Sequence, residues 1–516
     1  MHEQKSRSAW LTQWVVLALG LLATHCATAQ SFRVQCPPTT ALHPTPGDTT
    51  NGQIKCQHIG GSDGFATMGD GHQIYLFGFA PLSGLGDPTD ASLPAAKAGI
   101  LTGKPGTQIA SVFNNQADVR GARIEPAAIM NNGVLYSNSP APLMAIDEDD
   151  ELFLTLSNVG MIMRPDLFEQ HTVHFHGYPN ASSFFDGVPD ASVAINIAGS
   201  FTYYYTAPDA GTYFWHCHIA PPEHLQMGMV GQLFVRPRQN RVPVGSSLYA
   251  ALKASNNVNR GRVNDTASAS GACSDLLCTG ATPLPASVTP NVNEPVQPAA
   301  GAMYAYNDGD GSTRYDFDVP LQMMGFDPNF HFVGMTFNPE AFADMKDKYF
   351  LLNGRSYPDT TNVSVNNRGA AGISGAVPNG PLATMGADGA SRPSQPLHSL
   401  ITLYKTPCTA TGQTLCGGRA LLRISDLSVT EHTTLATLGI PMLVIAQNAR
   451  LLRDLAGNNL YYQTNSITLG GGESIDVILD AANVPAGRYF LYSTNLDHLS
   501  NDAENFGGMM TEIVVN

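Results

Sequence analysis

Short runs of alternating residues, each broken by Gly, Pro or Asp, set the strongest limit on what this chain folds into. Between about Tyr75 and Val235 they include Leu152-Phe153-Leu154-Thr155-Leu156, Phe201-Thr202-Tyr203-Tyr204-Tyr205 and Gln232-Leu233-Phe234-Val235. A second block, Arg314 to Asn516, carries Leu421-Leu422-Arg423-Ile424, Met442-Leu443-Val444-Ile445, Ile475-Asp476-Val477-Ile478-Leu479 and Thr511-Glu512-Ile513-Val514-Val515. A period of two with frequent turn residues is the pattern of strands packed face to face as β-sandwiches. Charged residues make up only 13% while Gly and Pro number 50 and 35, which also favours short strands over long helices. The expectation is an all-β protein with two sandwich domains.

The chain divides accordingly. Residues 1–29 read as an export signal: Lys5 and Arg7, an apolar stretch from Trp14 to Leu22, then Ala27-Thr28-Ala29 before Gln30. Cys26 is a poor lipid-anchor site, because the bulky His25 precedes it. Residues 30–64 form an N-terminal extension, 65–238 a first sandwich, 239–312 a linker poor in large apolar residues, and 313–516 a second sandwich. No later run reaches the ~20 apolar residues of a membrane span, so a secreted or periplasmic protein without a membrane contact is expected. The formal charge of −15 works against nucleic acid and anionic lipid. It serves ordinary solubility and, more weakly, attraction of a cationic substrate. The cysteines beyond the signal fall into three local pairs, Cys36 with Cys56, Cys273 with Cys278 and Cys408 with Cys416, as an oxidising compartment would allow. Cys217 is left over.

Cys217 lies within the densest metal-ligand segments of the chain. His171-Thr172-Val173-His174-Phe175-His176 and Trp215-His216-Cys217-His218, followed by His224 and Met229, hold six of the 15 histidines. In a strand, side chains at i and i+2 share a face and i+1 points the other way. His216 and His218 therefore look away from Cys217, and the thiolate and the imidazoles serve two different metals. One thiolate, two imidazoles and a distant thioether form the donor set of a blue-copper site. The assignment is Cys217, His171, His224 and axial Met229, with Met227 as the competing axial residue or simply core packing. His174 and His176 are a same-face pair that joins His216 and His218 at the second copper site.

At these residues the chain resembles the multicopper oxidase family, built from cupredoxin domains. The resemblance covers most of residues 65–516 and implies two cupredoxin-like Greek-key β-sandwich domains, the second without copper. It makes His171, Cys217, His224 and Met229 the type 1 ligands, and His174, His176, His216 and His218 type 2 and type 3 ligands. Asp186-Gly187-Val188-Pro189 resembles the family's Asp-Gly-x-Pro turn, so Asp186 is either a proton donor to bound oxygen or a plain turn residue. Two features depart from the family. Six residues, Pro221 and Pro222 among them, separate Cys217 from His224, a longer loop familiar from copper nitrite reductases. A complete trinuclear cluster also uses more histidines than the four visible here. His331, His432 and His498 stand alone and read as structural, the alternative for His432 and His498 being a contact with the first domain of a neighbouring subunit.

The resemblance implies an oxidoreductase that takes electrons from a metal ion or phenol and reduces oxygen. A homotrimer or a partner chain would complete the second copper site. Two other readings stay open: a nitrite reductase-like enzyme, which usually has an aspartate where His174 stands, and a type 1 electron carrier.

Overall fold

The computed structural model describes residues 33–34, 37, 39–45, 52–81, 122–123, 133–135, 137, 139–178, 182–207, 209–255, 295–299, 302–336, 341–361, 384–385, 391–392, 399–407 and 416–516. The expected export signal, Cys26, Cys36, Cys273, Cys278, Cys408 and most of the expected linker lie outside them. Cys56 and Cys416 are each disulfide-bonded.

The chain is built almost entirely of strands, as expected, with two sandwiches stacked through their inner sheets. The first sandwich has an outer sheet ordered Gln73–Pro81, Ile54–Thr67, Glu151–Gly160, Ser200–Thr206. Its inner sheet runs Met144–Asp147, Val230–Arg236, Gly211–His216, His174–Phe175. The second sandwich joins a seven-stranded sheet, centred on Phe317–Phe326, Arg419–Asp426 and Ser474–Asp480, to a five-stranded sheet that includes Gly487–Ser493 and Met510–Val515. Both are mixed: Val230–Arg236 runs parallel to Met144–Asp147 and antiparallel to Gly211–His216.

Because the inner sheets are covered on both sides, their strands sort residues by alternation. Tyr213, Trp215, Leu233 and Val235 enter the first domain's core, while Phe214 and Val230 pack against Met324 and Phe326 of the second domain. Phe234 reaches the second core itself. Polar residues on the same face bond across the interface: Thr212 donates to Asp476 at 2.6 Å, and the Gln232 amide donates to the Arg423 carbonyl and to Ser425 at 3.0 and 2.8 Å. Trp215 is fully buried opposite Gly231, where a Cβ would lie 2.5 Å from the indole.

Two expected boundaries shift. Ile54–Thr67, placed largely in the N-terminal extension, is a 14-residue strand of the outer sheet. Its alternation is hidden because Lys55, Gln57, His58, Ser62 and Asp63 are buried along with its apolar residues. Internal partners make that possible, as where the His58 ring meets Ser157 at 2.7 Å. Within the expected linker, Met303–Tyr304 pairs with Arg314–Tyr315, and Tyr304, Ala305 and Tyr306 are buried. Among the described residues, no helix is long and apolar enough to cross a membrane.

Candidate metal centres

Both ligand segments meet at the end of the inner sheet. His174 pairs with His216 and Phe175 with Trp215, while Val230 faces His216 across the next ladder. That register sets Met229 opposite Cys217, and the Cys217 amide donates to the Met229 carbonyl at 3.0 Å. Cross-strand partners share a face, so the Met229 side chain and the thiol point into the first domain's core. Both are fully buried there, with Met227. Gly228 makes the approach possible: its φ is +115°, and a Cβ would lie 2.8 Å from Ser139.

The thiol sits between two imidazole nitrogens, 3.2 Å from His224 Nδ1 and 4.0 Å from His171 Nδ1. Together these three residues form a group able to hold a metal ion. A third contact is the Thr172 amide, which donates to the sulfur at 3.4 Å. Burial alone would push the Cys217 thiol up, but His224 and His171 outweigh it and hold the thiol well below its ordinary range. Burial likewise pulls His224 down, and the facing sulfur overrides it, raising the imidazole to about 10. A buried thiolate with the Nδ1 atoms of two buried imidazoles turned toward it is a donor set that fits a soft transition metal.

The flanking histidines form the second group, His174, His176 and His216, on the opposite face. Nδ1–H of His174 donates to the Asp186 carbonyl and Nδ1–H of His216 to the Cys217 carbonyl, each at 2.7 Å. Since a carbonyl only accepts, the neutral form of each ring carries its lone pair on Nε2. His176 hydrogen-bonds the backbone of Gly472, in the second domain. The Nε2 atoms of His176 and His216 lie 2.9 Å apart. Burial holds His216 down at about 3 and His176 at about 4, so both are neutral, unprotonated donors near neutral pH. The His218 ring lies 5.0 Å from the His174 ring, beside this group. Converging lone pairs with backbone-fixed tautomers are how metal-binding imidazoles are oriented.

Asp186 meets this group twice, through its carbonyl and through Oδ2, 3.5 Å from His174 Nδ1. Gly187 behind it has φ +81°, and a Cβ would strike the Val173 carbonyl, so the turn holds Asp186 in place. The lone histidines sit elsewhere. His331 is buried between the carbonyls of Tyr75 and Gln226, and His498 stacks on Phe350 and meets Ser493, while His432 is exposed. Sequence reasoning missed Glu169, whose carboxylate lies 3.5 Å from His224 Nε2. Its place two residues before His171 was the available signal. It also missed Gly472, which no spacing links to His176.

A family model described as multicopper oxidase matches residues 119–240. Multicopper oxidase MCE of Talaromyces pinophilus is 29% identical over 143 residues, 27% of this chain and 22% of that protein. Multicopper oxidase MmcO of Mycobacterium tuberculosis is 31% identical over 99 residues, 19% and 18% of the respective chains. The matched region thus spans about a fifth of the length of these curated relatives. Among solved structures, the multicopper oxidase mgLAC superposes with a TM-score of 0.48 at 16% identity, over 90% of this chain and 86% of that one.

Proposed function

We propose, on the premise that residues 119–240 belong to the multicopper oxidase family and that the cofactor is copper, that this chain is an exported copper oxidoreductase. Cys217, His171, His224 and Met229 hold a type 1 copper; His174, His176, His216 and His218 hold the second copper site. The bound copper supplies one-electron redox chemistry between a reducing substrate and oxygen, which is reduced to water.

The observation that carries this reading is the strand end at Cys217, where the thiol faces the first domain's core and His216 and His218 leave the chain on the other side. A few covalent bonds therefore join the two donor sets. The His224 ring has its Nδ1 on the sulfur and its Nε2 toward Glu169, so a donor approaching Glu169 is one imidazole away from the buried site. A carboxylate there, on a chain of charge −15, suits a metal ion and also accepts a hydrogen bond from a phenol. Asp186, against His174 at the same site, would supply protons for that reduction. The disulfides at Cys56 and Cys416 support export to an oxidising compartment.

His174 is half-buried and the second donor set is small, which favours its completion by another copy of this chain. Oxygen consumption by the copper-loaded protein tests the reading, with ferrous or cuprous ion and a phenol as donors. Uptake that stops on copper removal supports it. Turnover of nitrite without oxygen uptake would favour the reductase, and no turnover with either acceptor would leave an electron carrier.

A further inference from the structure

The loop that returns from Cys217 to Met229 is gripped from outside its own domain. Its short helix, Pro221–Gln226, follows His218 and carries His224, and it ends at Gln226, which is 1% exposed. Each polar group of the Gln226 side chain is taken by the second domain. Oε1 accepts from the Asp327 amide at 3.1 Å, and Nε2 donates to Asp347 at 2.8 Å. The Gln226 carbonyl lies 2.9 Å from His331 Nε2, and the other nitrogen of that ring, Nδ1, meets the Tyr75 carbonyl.

The gripping residues are themselves fixed. Asp327 caps the helix Pro328–Met335 through the amides of Asn329 and Phe330, and its second oxygen accepts from Lys346 N at 2.8 Å. Asp347 also accepts from Thr430 at 2.6 Å. From the same helix, Phe330 enters the cluster that contains Cys217, Met227 and Met229, and the Gly334 carbonyl accepts from Arg164, on the stretch leading to Glu169. One helix of the second domain thus holds both approaches to His224. Short, part-exposed ligand loops have few contacts of their own and open at low cost unless something outside pins them.

We propose that the second domain sets the position of the His224–Met229 ligand loop through Gln226, making Gln226, His331 and Asp347 positioning residues for the thiolate metal centre. Gln226→Met keeps the volume and removes both side-chain bonds. Gln226→Glu combined with Asp347→Asn exchanges donor and acceptor and restores the pair. The first experiment uses the copper-free full-length protein and so does not depend on the copper reading. Amide hydrogen exchange across residues 219–229 is expected to rise roughly tenfold in Gln226→Met and to return in the double variant.

The second experiment rests on the proposed function. In copper-loaded protein, the paramagnetic resonance of the thiolate-bound copper and its reduction potential shift in Gln226→Met and recover in the double variant. If wild-type protein gives no such signal, the copper reading fails while the exchange result still judges the clamp. His331→Leu provides the same exchange measurement should Gln226→Met not fold. Loop exchange at the wild-type rate in the folded variant would overturn the proposal.

Discussion

A methyl group on Gly61 would lie 2.5 Å from the His171 ring, so the imidazole beside Cys217 depends on a residue of another strand having no side chain. Gly61 sits where the pairing of Ile54–Thr67 with Glu151–Gly160 shifts register, and its backbone is not in the left-handed region. Gly61→Ala therefore acts by displacing His171 rather than by straining the main chain. The expected outcome is a weakened or altered thiolate-copper absorption band, with about 1–3 kcal/mol lost in denaturant unfolding of the copper-free protein. An unchanged band would contradict the placement of His171. At this scale the sequence was informative: His171, Cys217 and His224 come together as their residue types and spacing imply. The supports around them were not legible, because a glycine that makes room for a ring and an amide that donates to sulfur leave no trace in spacing.

Among elements, the strand Arg419–Asp426 shows how the sandwiches are joined. Arg423 is fully buried, 3.2 Å from Asp318 and over the Phe234 ring at 4.5 Å, so it ties the second domain's core strand to the first domain's inner sheet. Removing it strands a buried carboxylate. Arg423→Ala is expected to cost about 3–5 kcal/mol in denaturant unfolding of the copper-free protein. Arg488, 59% exposed beside Glu512, forms the contrasting pair, and Arg488→Ala should cost under about 1 kcal/mol. Equal losses would contradict the buried role of Arg423. Alternating runs exposed the core strands such as Ile475–Leu479 directly. They failed at Ile54–Thr67, where satisfied polar side chains fill core positions and erase the contrast on which the period of two depends.

Across the whole molecule, the two inner sheets lie against each other and the second histidine group sits at the rim of that contact, where Gly472 reaches His176. The copper-free appearance of the second domain in the sequence therefore understated its part in the site. It supplies a backbone partner to one imidazole and holds Gln226 from His331, 105 residues away. Contacts at that separation have no periodicity to announce them. The central claim is that two distinct metal centres meet at Cys217, one on each face of its strand. Copper content and electron paramagnetic resonance of copper-loaded Cys217→Ser, set beside wild type, test it most directly. The account predicts loss of the thiolate-copper signal and its metal with the histidine-bound copper retained; loss of all copper, or an unchanged spectrum, would contradict it.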